Sequence, residues 1–165
     1  MKPSHQSGDI NLRQRLAGAH RIAVVGIGDE NSAVDRLGME AAREIELMHL
    51  PGVRVFFAGT VPESMTGPLR EFHPDHILFL DAADMSSLPG TVAIIDPERI
   101  PKRHFSTHAL PLSAVMEFLE RDTGAKVTLI GIQPDVSRDE MSSDGQDLLS
   151  RNLGELVRIL RERCG

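Results

Sequence analysis

Ile77-Leu78-Phe79-Leu80-Asp81-Ala82-Ala83-Asp84 is an apolar run that ends abruptly in two acids. Pro74-Asp75 precedes it and Ser86-Ser87 follows, so turn-forming residues bound it on both sides. A row of large apolar residues cannot alternate between a wet and a dry face, which predicts a short strand buried on both faces, as in the middle of a parallel sheet. Ligands of open α/β sheets bind beyond the carboxyl ends of the strands. Asp81, at the end of this strand, is therefore either a functional carboxylate in a cleft or a cap on the turn that follows.

Similar runs recur on either side. Arg21 to Gly28 is a β-branched first strand that closes on glycine, and Val53 to Phe57 makes a second. Thr91 to Asp96 makes a fourth, stopped by Pro97, and Lys126 to Ile132 a fifth. Between them lie helical stripes. Leu37, Met39, Ala41, Ala42, Ile45 and Met48 form one before Pro51-Gly52, and Leu112, Val115, Met116 and Leu119 form another before Gly124, with Pro111 at its first position. Leu149, Leu153, Leu156, Val157 and Leu160 stripe a long terminal helix from Gly145 onward. Met65 to Phe72 predicts a short helix weakened by Gly67-Pro68, and Asp9 to Gly18 another short one, while residues 1–8 have nothing to bury and are expected to be loose. Strands alternating with helices predict a three-layer α/β/α fold with a central, mostly parallel sheet of about five strands. The short connection after Pro89-Gly90 leaves room for one antiparallel pairing.

A length of 165 residues predicts a single domain. The hydrophobic fraction of 41% and charged fraction of 25% are those of an ordinary soluble protein, and no apolar run reaches the ~20 residues that span a bilayer. A net charge of -6 argues against a broad nucleic-acid-binding face, and Lys102-Arg103-His104 reads as a solvated loop. The lone cysteine, Cys164, excludes an intrachain disulfide, a redox pair or a thiolate zinc site. Without a secretory leader, a cytoplasmic location is expected.

The polar residues gathered at the carboxyl edge of such a sheet are Asp29, Glu30 and Asp35 from the first loop, Asp81 and Asp84 from the third, and Gln133 and Asp135 from the fifth. His108 precedes the helix that starts near Pro111. Two carboxylates and an imidazole suit a borderline divalent ion, with positions left for water or substrate. Each residue has a plainer reading as well: Asp35 as a helix N-cap, Asp84 as a turn former, His108 as a loop hydrogen-bonder. A dinucleotide site is disfavoured, because Gly26-x-Gly28 is followed by Asn31 where the third glycine belongs.

The ordered set Val25-Gly26-Ile27-Gly28, Asp35, Ala58-Gly59-Thr60-Val61-Pro62-Glu63, Leu80-Asp81-Ala82-Ala83-Asp84-Met85, Ile95-Asp96-Pro97-Glu98, Ser106-Thr107-His108-Ala109-Leu110-Pro111 and Gly131-Ile132-Gln133-Pro134-Asp135 resembles the nickel-iron hydrogenase maturation endopeptidases. The resemblance lies with the branch serving formate-hydrogenlyase-type and related membrane hydrogenases. It implies an aspartic-type endopeptidase that removes the C-terminal extension of a nickel-loaded large subunit precursor. By motif position it implies a catalytic and metal-binding triad of Asp35, Asp81 and His108, and substrate recognition by Gly59 and Thr60. Nickel would be recognised in the precursor, so no tightly bound resident metal is required. The implied partner is that precursor, with no nucleic acid, no membrane insertion and a monomeric state favoured. The first loop departs from the family's Gly-Asn-x-x-x-Gly-Asp-Asp-Gly-x-Gly pattern, keeping its second acid as Asp35, with Asp29, Glu30 and Asp84 as auxiliary candidates. Phe57 replaces an acid that the family has before the recognition glycines, which implies a different substrate choice. The alternatives are a non-catalytic binding module or chaperone for the precursor, and a small α/β hydrolase or nucleotide binder that shares only the fold.

Overall fold

The structure, a computed structural model, describes residues 6–96 and 110–165, and side chains from residue 11 onward. Its elements are α1 (Gln6–Arg15), β1 (Ile22–Ile27), α2 (Leu37–Leu47), β2 (Val53–Gly59), a 3-10 turn (Pro62–Met65), α3 (Thr66–Phe72), β3 (His76–Ala82), β4 (Val92–Ile95), α4 (Leu112–Thr123), β5 (Lys126–Ile132) and α5 (Ser143–Cys164). The sheet has five strands in the order β2-β1-β3-β5-β4. All neighbours are parallel except β4, which runs antiparallel to β5. The strand predicted from Ile77 to Leu80 is the central one, and every residue from His76 to Ala82 is buried.

The two-residue period of the strands divides the core between the two faces. Ile22, Val24, Leu78 and Leu80 join Leu12, Leu16, the apolar stripe of α2 and the stripe of α5 on one face. Ala23, Val25, Ile27, Ile77 and Phe79 join Leu69, Phe72 and the stripe of α4 on the other. Asp81 follows Ile77 and Phe79 in this alternation, on the side of α3 and α4. The carboxyl ends of β1, β2, β3 and β5 lie along one edge, and β4 starts there, since Val92 is paired with Ile132.

Several boundaries differ from expectation for local reasons. Helix α1 starts at Gln6 rather than Asp9. Pro111 is not the first helical residue of α4 but its N-cap, with φ -57 and ψ 132, and Gly124 closes the helix at φ 74. Gly67-Pro68 lies within the first turn of α3, where a missing N–H costs no helical hydrogen bond. Helix α5 begins at Ser143, ahead of Gly145, because the Ser142 hydroxyl accepts from the Gly145 N–H at 3.3 Å.

Candidate active site

The first loop, between β1 and α2, is a closed polar turn built around Asp35. Its carboxylate accepts from the Asp29 N–H at 2.9 Å, and its own N–H donates to the Ser32 hydroxyl at 3.2 Å. The Ser32 N–H donates to the Asp29 carbonyl, and the Arg36 N–H to that of Ser32. Asp35 is not the helix N-cap. Arg36 holds that position with no side-chain cap, and the Asp35 carboxylate is directed into the loop instead. Gly28, at φ +139, takes a conformation that L side chains rarely adopt, and a Cβ there would lie 1.8 Å from the Asp35 carbonyl oxygen. Space that a dinucleotide fingerprint keeps open for a pyrophosphate is thus filled by the chain itself.

Gly38 joins this loop to the central strand. A Cβ there would lie 2.2 Å from the Leu80 carbonyl oxygen and 2.3 Å from that of Ile27, so the start of α2 sits directly on the ends of β1 and β3. Asp35 lies just before this contact in sequence, and Asp81 directly follows Leu80. Both are almost fully buried, at 1% and 3% exposure. On the other side of β1, the Gly28 N–H donates to the Gly59 carbonyl at 2.8 Å. A bulge between Gly26 and Ile27 shifts the register so that Ile27 is paired with Gly59. Gly59 has φ +58 and open space where a Cβ would stand, and Thr60 beside it is half-buried. The loop holding Asp35, the end of β3 at Asp81 and the end of β2 at Gly59, with Thr60 after it, therefore lie at one edge.

The remaining candidates have structural partners. Asp84 accepts from the Ser86 N–H at 3.1 Å, forming its own turn, and from the Gln133 side-chain amide at 3.3 Å. Asp29 accepts from the Asn31 N–H, and the exposed Glu30 forms an ion pair with Arg43 of α2. Asp135 accepts from the Ser137 N–H and hydroxyl, which lower its pKa below the usual carboxylate value. Gln133 is the polar residue whose role spacing alone did not reveal. It is 3% exposed, and its carbonyl accepts from the Met85 N–H at 2.6 Å, tying the loop after β3 to the end of β5. Half-buried Cys164 has its thiol pKa raised by burial, as expected of an inert thiol.

His108 lies outside the described residues, four positions before Leu112 opens α4. Among the described residues, no group of three or more His, Cys, Asp or Glu side chains is arranged to hold a metal ion. A cleft of about 380 Å³ opens beside the first loop, lined by Ala33, Arg36, Glu40, Glu44, Asp135 and Arg138 among others. Neither Asp35 nor Asp81 lines it, so it lies beside the first loop without containing either buried acid. Burial, together with Glu40, raises the pKa of Glu44 along its wall. No helix among the described residues is long and apolar enough to cross a membrane.

Residues 22–160 match the family profile described as HycI, hydrogenase maturation protease. A protein of Methanocaldococcus jannaschii that bears the description "Putative hydrogenase maturation protease" is 32% identical over 164 residues, covering 92% of this chain and 95% of that one. The hydrogenase 3 maturation protease of Escherichia coli is 39% identical over 83 residues, half of this chain and 53% of that one. Among solved structures, the nickel-iron hydrogenase maturation protease HycI of Thermococcus kodakarensis superposes with a TM-score of 0.75 at 31% identity, covering 92% of this chain and 99% of that one. A crystal structure of the hydrogenase 3 maturation protease gives 0.67 at 28% identity, over 81% and 87% of the two chains.

Proposed function

This chain belongs to the hydrogenase maturation protease family, and from that premise we propose that it is the endopeptidase that removes the C-terminal extension of a nickel-loaded hydrogenase large subunit precursor. Asp35, Asp81 and His108 are its catalytic and metal-engaging residues, and Gly59 and Thr60 take part in substrate recognition. The observation that carries this reading is the burial of two carboxylates on segments that Gly38 holds together at the carboxyl edge. A carboxylate in low-dielectric surroundings attracts a cation more strongly than an exposed one. Asp81 belongs to the row of β3 residues facing α3 and α4, and His108 precedes α4 in sequence, which supports a shared role.

Nickel enters as part of the substrate. The two carboxylates and a neutral His108 imidazole engage it and bring the scissile bond beside it, where a divalent ion polarises the peptide carbonyl. Water then adds to the carbonyl carbon while a carboxylate takes its proton as general base. The C–N bond breaks as the same carboxyl group returns that proton to the departing nitrogen, which regenerates the carboxylate. Because His108 ligates only when neutral, acid weakens this engagement. The reaction is aspartic-type, runs in the cytoplasm, and needs no resident metal.

The test is to incubate nickel-loaded precursor with the protein and follow the precursor's intact mass. Wild type shortens the precursor, whereas Asp81→Asn, Asp35→Asn and His108→Ala leave it at full length with unchanged melting temperatures. Full processing by both Asp81→Asn and His108→Ala would remove the triad from the mechanism. A mobility shift without mass loss, in wild type, would make the protein a binding module instead.

A further inference from the structure

Glu63 stands three residues after Thr60, in the 3-10 turn from Pro62 to Met65 that follows the carboxyl end of β2. Its Oε2 is withdrawn from solvent and has no hydrogen-bond partner among the described residues. Two arginine nitrogens share that condition, but their side chains are engaged through other atoms or in ion pairs: Arg36 pairs with Glu40, and Arg163 donates to the Arg13 carbonyl. The Glu63 carboxylate has no such engagement among the described residues. Its backbone is nevertheless firmly held. The Ser64 N–H and hydroxyl both donate to the Val61 carbonyl, at 3.0 and 2.6 Å, and the Thr66 hydroxyl donates to the Glu63 carbonyl at 2.9 Å. Pro62 is buried, and Met65 packs on the core cluster of Phe79 and Leu112, on the face of the sheet that Asp81 shares.

None of the bonds that build this turn uses the carboxylate, so a neutral side chain of similar size would hold the turn equally well. An acid there carries a cost, because a carboxylate oxygen taken out of water without a donor destabilises the fold. What offsets that cost is a donor from outside the turn. Glu63 is half-buried rather than sealed, which leaves one side of the residue open to a bound chain. Hydrogen bonds from N–H groups to a carboxylate are roughly twice as strong as neutral ones, and they strengthen further where water is excluded. We infer that Glu63 is a specificity-determining residue for the processing reaction, its carboxylate accepting an N–H donor of the precursor's C-terminal segment as that segment lies beside Gly59 and Thr60. This inference rests on the processing function above.

Steady-state processing and equilibrium binding of nickel-loaded precursor test it, alongside thermal unfolding of the free protein. Glu63→Met, similar in length and apolar, should raise both KM and Kd roughly 10- to 100-fold, the loss expected for one charge-assisted hydrogen bond. Its kcat should stay within about twofold of wild type, since the contact is made equally by bound substrate and transition state. Its melting temperature should equal or exceed that of wild type, because the oxygen lacking a donor is gone. Glu63→Gln keeps an acceptor oxygen without the charge and so separates two sources of the donor. A KM near wild type assigns a main-chain amide of the precursor, and a KM as high as in Glu63→Met assigns a cationic side chain. An unchanged KM in Glu63→Met would overturn the inference. So would a lowered melting temperature in both variants, which would make the carboxylate a structural acceptor within this chain. Binding by wild type without shortening of the precursor, weakened in Glu63→Met, would remove the processing function while the Glu63 contact remained.

Discussion

A methyl group added at Gly38 would lie 2.2 Å from the Leu80 carbonyl oxygen and 2.3 Å from that of Ile27, and both oxygens belong to backbone held in the sheet. Neither can move without disturbing strand pairing, so α2 must shift and carry Asp35 with it. Gly38→Ala is expected to destabilise the fold by about 1–3 kcal/mol, measured by urea unfolding. It should also cut processing at temperatures where the protein is still folded. A variant with wild-type stability and activity would show that α2 does not set the position of Asp35. Gln133 acts through hydrogen bonds instead. Gln133→Leu keeps the bulk of the side chain and strands the Met85 N–H, now 2.6 Å from its acceptor. The expected loss is about 1 kcal/mol, the low end for stranding a donor because this one is only part-buried, with faster hydrogen exchange at Met85 as its local signature. The turn made by Asp84 was legible in the sequence because Asp bonds its own backbone two residues on. The roles of Gly38 and Gln133 were not, because each is defined by atoms remote in sequence.

The strands were the most legible elements. Continuous apolar runs have few alternatives to a buried parallel strand, and β5 has the expected bounds, Lys126–Ile132. Room for one antiparallel pairing was legible in a connection too short for a crossover helix, and β4 takes it. Its position beside β5 rather than β3 did not follow, because strand order depends on crossovers that local patterns do not encode. The carboxyl edge carrying Asp35 and Asp81 was likewise foreseen from the strand and helix alternation, whereas His108, which was assigned there from its place before α4 and from the family resemblance, lies outside the described residues. Helix ends were read less well. Helix α5 starts at Ser143, ahead of its apolar stripe, because capping by Ser142 extends it. Ser142→Ala is expected to cost about 1 kcal/mol, the usual worth of an N-cap, seen as a lower urea midpoint with an unchanged m-value. A change in m-value would show that the cap also shapes the unfolded ensemble. The first turns of α5 also pack against the turn before β4: a Cβ at Gly90 would lie 2.2 Å from the Gly145 carbonyl oxygen, and further along the helix the Asn152 amide donates to the Gly90 carbonyl at 3.0 Å. Fraying of this helix should therefore loosen the loop that carries Leu88.

On the scale of the whole molecule, the edge opposite the site sets the response to acid. His76 opens β3 there, 2% exposed, with a ring nitrogen 2.8 Å from the Thr128 hydroxyl. Burial, with smaller contributions from Lys126 and Arg15, lowers its pKa from 6.5 to about 4. The folded protein therefore holds the imidazole neutral down to about pH 4, while the unfolded chain protonates it below about pH 6.5. In that window the unfolded state binds the extra proton, so stability falls as pH falls. Linkage gives about 2 kcal/mol lost between pH 7.5 and pH 5, rising to about 3 kcal/mol once pH has passed below 4. Exposed Asp75 acts in the same direction at lower pH. Its carboxylate accepts from the His20 and Arg21 N–H groups, which lower its pKa below 3.8, so this support is lost only in stronger acid. Urea unfolding at pH 7.5 and pH 5 should show the loss in wild type. His76→Gln, which keeps a polar partner for Thr128 without a titrating ring, should remove most of the difference. An equal slope in the variant would assign the acid response to other groups. Because this edge lies opposite Asp35 and Asp81, the same variant should leave the pH profile of processing unchanged, separating acid unfolding from protonation at the catalytic edge.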